Sequence, residues 1–481
     1  MILFKNGTVV DGTKSAAFRG DVLVEGDRIA AVGRVETPAD SEVIDCTGLT
    51  VCPGFIDAHS HSDLQVLEGR EEKILQGVTA EVVGNCGFST FPAADDRKPL
   101  YDFANGILCG SGNWGWKSAG DYLAEVGRKA RLTIASHTGH GALRIAQVGH
   151  RLGALPGPDV AAMERTLSEN LSAGSCGFTT GLMYAPVSSA PTEELERLCR
   201  VVARHGLIHA SHIRDYASSV VDAIDEQIGI ARRTGCRLQI SHLQVVGAAN
   251  WPLQQQAIDH IEKARREGID VEFDCYPYVA GSTVLTQILP VWTLEGGIDA
   301  LMARLKDDST RRRIITETVA TMAWRWSDIY ISAVASERNQ PVVGVNLDEI
   351  ARQRKKDPAD VMADLLIEEH GAVNMLSFNQ SEENLRQTLT HPLSIVISDG
   401  FYVHGRPHPR LHGTFPTLLG EYVRKRRWLS LEEAVNKITD RPARRYGLRN
   451  RGRLEAGYYA DITVIDAATI GTTATYKEPE R

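Results

Sequence analysis

The sequence predicts an α/β fold: a (β/α)8 TIM barrel with a small composite β-sandwich domain drawn from both chain ends. Three observations predict it. Apolar, β-favouring runs recur eight times between residues 49 and 399, with helix-patterned stretches in the gaps. Most of these runs end in a residue able to bind a metal or move a proton. The two ends of the chain share a texture of short strands and tight turns.

At the N-terminus, Ile2-Leu-Phe-Lys leads into Asn6-Gly7, and Thr8-Val-Val leads into Asp11-Gly12. Residues 21–33 read as a hairpin turning at Glu25-Gly26-Asp27. The same texture returns at residues 452–466. Chain ends are often close in space, so residues 1–52 and 451–481 are expected to form one β domain around a barrel spanning 53–450.

The barrel strands are expected at residues 49–57, 79–84, 132–137, 177–180, 207–212, 237–242, 269–276 and 393–399. Crossovers between consecutive parallel strands are right-handed, which closes eight such units into a barrel. Helices are expected at 192–205, just after Pro191, and at 217–234 and 252–268. The last runs over 430–446, with Ser430 as N-cap and Glu433 completing a capping box. Two crossovers are oversized, near 87–131 and 277–392, and insertions of this kind shape pockets or lids.

Composition narrows the class. Hydrophobic content of 43% and charged content of 24% over 481 residues suit a soluble globular enzyme. A formal net charge of -8 argues against a nucleic-acid partner, and the basic run Arg424–Trp428 reads as a solvated helix end. No apolar stretch approaches the ~18 residues of a membrane span, and no export signal is visible. Eight scattered cysteines point to free thiols in a reducing, cytoplasmic compartment. The expected partner is a small-molecule substrate, with no nucleic acid and no membrane; homo-oligomerisation stays open.

A TIM barrel places its chemistry at the C-terminal ends of its strands. Those ends carry His59 and His61, Cys86, His137, Thr180, His212, His242, Tyr276 and Asp399. Side chains two apart on a strand share a face, so His59 and His61 point the same way. A lone His-x-His is weak evidence, but convergence of imidazoles, a thiol and a carboxylate is what a zinc site needs. Such an ion lowers the pKa of bound water towards about 7. Asp399, between an apolar strand and Gly400, is the candidate proton carrier. The bland alternative for Asp399 is a turn cap, and for His137 a packing role.

Several motifs stand in order: Pro53-Gly-Phe-Ile-Asp-Ala-His-Ser-His, Gly77-Val-Thr-Ala-Glu-Val-Val-Gly-Asn-Cys-Gly, Ser211-His-Ile-Arg-Asp, Ile240-Ser-His-Leu and Asp274-Cys-Tyr-Pro-Tyr. Gly281-Ser-Thr, Ser398-Asp-Gly, His408-Pro-Arg, Gly413-Thr-Phe-Pro and Gly457-Tyr-Tyr-Ala-Asp-Ile follow. From about residue 1 to 466 the chain resembles the N-acyl-D-amino-acid deacylases (D-aminoacylases) of the amidohydrolase superfamily. The resemblance implies a zinc ion held tightly by Cys86, His212 and His242, and a weaker second position at His59, His61 and Asp399 with Cys86 bridging. It implies Asp399 as general base and acid, and Arg410, Tyr276 and Ser282 on the substrate carboxylate. Gln244 stands at the carboxylate-binding position where the family usually has lysine, and Tyr216 follows Asp215 where glutamate is common. Family members usually continue past the Asp-Ile-Thr-Val strand, which leaves the terminal β module short.

The implied activity is zinc-dependent hydrolysis of an N-acyl-D-amino acid to a carboxylate and a free D-amino acid. A cyclic amide hydrolase of the hydantoinase or dihydropyrimidinase kind is the alternative, with Cys86 arguing against it. A catalytically dead scaffold is a third reading, opposed by the retained polar cluster. Trp114, Trp116, Leu285, Leu289 and Trp292 favour a neutral or hydrophobic substrate side chain. A D-Glu or D-Asp substrate would need a cation, for which Arg311-Arg-Arg313, Arg325 and Arg338 are candidates.

Overall fold

A computed structural model describes residues 1–110 and 113–480. Its centre is a parallel barrel whose strands we number β1 (Phe55–Asp57), β2 (Val78–Val83), β3 (Thr133–Ser136 continuing as Thr138–Gly139), β4 (Gly177–Gly181), β5 (Ile208–His212), β6 (Arg237–Ile240), β7 (Val271–Cys275) and β8 (Ser394–Val396). Each pairs in parallel with the next. A parallel bridge between Ser60 and Gly400 closes the ring just beyond β1 and β8. Barrels need this closure because an open edge leaves backbone donors unpaired.

Amphipathic helices cover the outside. Thr192–Arg204, Val220–Thr234 and Leu253–Arg266 pack their apolar faces on β4 to β7. The interior is filled by Ala58, Val82, Ile208, Tyr276, Ile395, Ile397 and Tyr446.

Both chain ends meet in one six-stranded sheet. Ile2–Val9, Phe18–Glu25, Arg28–Gly33, Glu42–Asp45 and Thr50–Pro53 are joined by Ile462–Ile465, which runs antiparallel to Thr50–Pro53. The expected strand at 49–57 is therefore two strands. The chain leaves this sheet at Pro53 and enters the barrel at Phe55. Gly54 makes the crossing possible, since a Cβ there would lie 2.2 Å from the Thr79 side chain.

The expected helix at 430–446 also divides, into Leu431–Lys437 and Asp440–Tyr446. Pro442 explains the break: it has no N–H to continue the ladder from the first segment. The Ser430–Glu433 capping box is present.

The larger insertion is a subdomain rather than a loop. Gly281–Val284, Ile329–Val334 and Val373–Ser377 form an antiparallel sheet. Ile298–Lys306, Asp308–Thr321, Leu347–Arg354 and Pro358–Glu368 pack with it around Leu301, Ile314, Ile331, Leu347, Leu366 and Met375. Among the described residues no helix is long and apolar enough to cross a membrane.

Candidate metal centre

Six side chains from five strand ends converge at the mouth of the barrel. His59 and His61 follow β1, Cys86 follows β2, His212 ends β5, His242 follows β6 and Asp399 follows β8. All six are buried. Cys86 Sγ lies 3.3 Å from His59 Nε2 and 3.4 Å from His242 Nε2. Asp399 Oδ1 lies 3.3 Å from His59 Nε2 and 3.2 Å from His61 Nε2. The ligand atoms form two groups, one of His59, His61, Cys86 and Asp399, the other of Cys86, His212 and His242, each within 4.8 Å. Cys86 belongs to both.

These separations fit a metal. Ligands at 2.0–2.3 Å from a tetrahedral zinc stand roughly 3.3–3.8 Å from one another. Neither ring nitrogen of His212 has a hydrogen-bond partner, a costly arrangement for a buried imidazole unless a cation takes its lone pair. Burial holds His212 well below the ordinary histidine range, helped by His242, and brings His242 down to about 4. Both rings are thus neutral, which is the ligating form. Burial also pushes the Cys86 thiol up to about 11, against the pull of His59. A cation at Sγ is what converts such a thiol to thiolate.

The backbone is strained at three of the candidate ligands. Cys86, His242 and Asp399 have φ of 52°, 34° and 50°. Left-handed conformations cost about 1–3 kcal/mol in non-glycine residues and persist only when their surroundings enforce them. The enforcement is visible at His242. Its N–H donates to Asp274 Oδ1 at 2.6 Å, and the preceding Ser241 carbonyl accepts from the Tyr216 hydroxyl at 2.9 Å. The same hydroxyl accepts the Ile213 N–H at 3.1 Å, so Tyr216 ties the loops of His212 and His242 together. At Asp399 the N–H donates to the His59 carbonyl at 2.8 Å.

A cavity of about 500 Å³ opens over the cluster, lined by five of the six candidate ligands and by Gln244, Tyr276, Ser282 and Arg410. His59 sits beneath it, fully buried. Arg410 Nη1 lies 2.9 Å from Asp399 Oδ2, and Nη2 donates to the Ser282 carbonyl at 3.2 Å. Burial alone would raise the Asp399 carboxyl; Arg410, His242 and hydrogen bonds with His59 and His61 outweigh it and hold it well below the carboxylate range. The Tyr276 hydroxyl donates to Gln244 Oε1 and accepts from Gln380 Nε2, both at 2.7 Å.

Other expectations fall elsewhere. His137 lies outside the cavity lining, with its ring against Tyr446 and Nδ1 3.6 Å from Cys176 Sγ. It is not the strand end, because β3 resumes at Thr138–Gly139. Of the five apolar residues expected at the pocket, Leu289 lines it, whereas Leu285, Trp292, Trp114 and Trp116 are outside the lining and pack in the cores behind it. Arg214 pairs with Glu226 at 2.9 Å, and Asp215 accepts from the backbone N–H groups of Ala217 and Ser219. Asp274, Tyr216 and Gln380 escaped the sequence argument. Asp274 carried one usable signal, since it shares a strand face with Tyr276.

Residues 42–479 match the profile of the amidohydrolase family. The chain belongs to this family. The amidohydrolase is 35% identical over 481 residues to the D-aminoacylase of Alcaligenes xylosoxydans xylosoxydans, covering 99% of this chain and 90% of that one. It is also 35% identical to the N-acyl-D-glutamate deacylase of the same organism, with the same coverage. The crystal structure of the N-acyl-D-glutamate deacylase of Bordetella bronchiseptica, with zinc and a phosphonate mimic of the tetrahedral intermediate, superposes at a TM-score of 0.86. That match has 32% identity over 99% of this chain and 92% of the other.

Proposed function

We propose that this amidohydrolase cleaves the amide bond of N-acyl-D-amino acids with neutral or apolar side chains, giving a carboxylate and a free D-amino acid. One observation carries the proposal: a cluster of zinc ligands sharing Cys86, with Asp399 between it and Arg410, at the floor of a single cavity. The relatives named above support the reaction class.

Cys86, His212 and His242 hold the tighter zinc in this reading, and His59, His61, Cys86 and Asp399 a weaker second one. When bound, zinc supplies Lewis acidity and a water of lowered pKa. Asp399 would take a proton from the attacking water as its oxygen adds to the acyl carbon, and would return it to the nitrogen as the C–N bond breaks. Arg410 offers its guanidinium to the substrate carboxylate, with Tyr276, Ser282 and Gln244 around it, so that the amide is held for attack.

The side-chain class follows from charge. Among the described residues, the arginines lining the cavity are Arg214 and Arg410, and the lining contains no lysine. Arg214 is spent on Glu226 and on the carbonyls of Ser188 and Ala190. Arg311, Arg313, Arg325 and Arg338 pair with Asp360 and Asp364, Glu317, Asp328 and Glu368, outside the lining. Leu182, Met183, Ile288, Leu289, Val291, Trp324 and Met375 give the remaining wall an apolar side, beside the uncharged polar groups of Thr283, Gln287, Ser377 and Asn379.

The eight cysteines are all free, which supports a reducing, cytoplasmic setting with a small molecule as partner.

The test is hydrolysis of paired D- and L-N-acetyl derivatives of Met, Leu, Phe, Glu and Asp by zinc-loaded enzyme, with Asp399→Asn as control. Turnover of the D-Met, D-Leu and D-Phe forms, lost in the variant, is expected. Turnover of L forms, or activity surviving Asp399→Asn, overturns the proposal.

A further inference from the structure

Behind Asp399, on the side away from the cavity, lies an ion cluster that the chemistry above does not use. Lys73, Asp57, Glu81 and Ser398 are each at most 2% exposed. The Lys73 ammonium contacts the Asp57 carboxylate, donates to Ser398 Oγ at 2.6 Å and stands 3.9 Å from Glu81. Asp57 accepts the Ser398 N–H at 3.0 Å and its hydroxyl at 2.5 Å. Ser398 Oγ also accepts the Gly400 N–H at 2.9 Å.

A serine hydroxyl has one proton and two lone pairs. At Ser398 all three are used: the proton goes to Asp57, and the lone pairs take Lys73 and the Gly400 N–H. The residues on both sides of Asp399 are therefore fixed to one buried ion pair. Asp399 itself is left-handed, with φ of 50°, a conformation that relaxes unless its neighbours prevent it. The cluster also spans the seam where the barrel closes: Asp57 ends β1, Ser398 follows β8, and Lys73 reaches in from the loop before β2.

Stability is a poor reason for such a cluster. Burying an ion pair costs desolvation, and apolar residues of similar size often stabilise a fold as well or better. Holding one side chain in one place is a better reason, because displacing a reacting group by about 1 Å can lower a rate about 100-fold.

We propose that Lys73 is a positioning residue for Asp399, acting through Asp57 and Ser398 to hold the left-handed turn that aims the carboxylate. The proposal rests on Asp399 as the proton carrier, and it is tested both with and without turnover.

Lys73→Met keeps most of the length of the side chain and removes the charge; Ser398→Ala removes one hydroxyl and is the companion should Lys73→Met fail to fold. Each is expected to lower kcat about 100-fold while KM stays within about threefold and the tight zinc remains at full stoichiometry. Placed on Asp399→Asn, each is expected to cost nothing further, because residues acting through one group are non-additive. Ser398→Thr, which restores the hydroxyl, is expected to recover most of the loss. Cobalt titration supplies the readout independent of turnover: the second, weaker equivalent, which uses Asp399, should bind about tenfold more weakly in both variants.

An unchanged kcat, or an equal additional loss on Asp399→Asn, overturns the proposal, as does an unmoved second cobalt equivalent. If the parent enzyme turns over no N-acyl-D-amino acid, the deacylase reading fails. The cobalt arm then decides the clamp alone: a weakened second equivalent supports it, and an unchanged one removes it.

Discussion

Asp274 Oδ1 accepts the His242 N–H at 2.6 Å and lies 3.5 Å from His59 Nδ1. One carboxylate oxygen thereby holds the backbone of His242 and faces the ring of His59, a candidate ligand from each half of the metal centre. Its other oxygen accepts from Gln239 Nε2 at 3.2 Å, which fixes the carboxylate plane. Groups that orient ligating histidines in this way are worth about 10–100-fold in metal affinity. Asp274→Ala is expected to weaken tight zinc binding by that factor, and Asp274→Asn, which keeps an acceptor, by less. Chelator competition measures both; full affinity in Asp274→Ala would show that the carboxylate does not orient the ligands.

Gln244 stands where the family resemblance leads one to expect a lysine, and its Oε1 takes the proton of the Tyr276 hydroxyl. The proposed carboxylate subsite therefore relies on Arg410 for its charge, and Arg410 also faces Asp399. Gln244→Lys adds a cation without touching the reacting atoms. It should lower KM for N-acetyl-D-leucine about tenfold with kcat within about twofold, the pattern of binding shared by ground and transition states. Because the effect is electrostatic, it should shrink at high ionic strength. Steady-state kinetics at two salt concentrations check both features, and a raised KM would place the substrate carboxylate elsewhere.

The strand-end pattern was legible because the strand period of two and the barrel geometry leave little freedom in where such residues point. His59, His61, Cys86, His212, His242 and Asp399 accordingly converge. His137 failed because the end of β3 is set by pairing with β4 rather than by the local apolar run. Pro442 could have split the last helix on the sequence alone, and Gly54 could have divided the first strand. Lys73 and Tyr216 carry no such local mark, and Asp274 only its shared strand face with Tyr276. Their roles depend on partners as distant in sequence as Ser398 is from Lys73, which only the closed barrel brings together. Leu285, Trp292, Trp114 and Trp116 fall outside the lining for a related reason, since an apolar residue in an insertion reads the same whether it lines a pocket or fills a core.

Acid stability depends on the opposite end of the barrel. Asp270, just before β7, pairs with Arg445 at 2.6 Å, Arg237 at 2.9 Å and Arg265 at 2.7 Å. Partial burial would raise its carboxyl, but Arg445 and then Arg237 and Arg265 outweigh this and bring it to about 2. A carboxyl depressed in the folded state stabilises above its unfolded value near 3.9 and loses that contribution as pH falls towards the folded value. The side chain is 41% exposed, so solvent screening limits the effect to about 1 kcal/mol. Asp270→Asn should thus cost about 1 kcal/mol in denaturant unfolding at pH 7, with the gap from the parent closing between about pH 4 and pH 2. A gap independent of pH would trace the loss to packing instead.

Side-chain selection is the point at which this enzyme is expected to part from its N-acyl-D-glutamate relative. Sequence identity does not discriminate, being 35% to both the D-aminoacylase and the glutamate deacylase of Alcaligenes. The cavity does. Its insertion-derived wall includes Ile288, Leu289, Val291, Met322, Trp324 and Met375 beside uncharged Thr283, Gln287, Ser377 and Asn379. Of the two cavity-lining arginines among the described residues, Arg214 is held by Glu226 and Arg410 faces Asp399. An acidic side chain entering this wall gives up its hydration without gaining a cationic partner, a loss of several kcal/mol. The parent enzyme is therefore expected to prefer N-acetyl-D-leucine to N-acetyl-D-glutamate by at least about 100-fold in kcat/KM. Met183, half-buried and lining the same cavity, is long enough to be replaced by a guanidinium without displacing backbone. Met183→Arg is expected to raise kcat/KM for the glutamate derivative at least about tenfold and to lower it for leucine, because the unpaired cation then faces an apolar group. Competition between the two derivatives in one vessel reads the ratio directly. Equal use of both by the parent would mean that the acidic group is met by something other than the lining side chains, and the charge argument for an apolar substrate would fall with it.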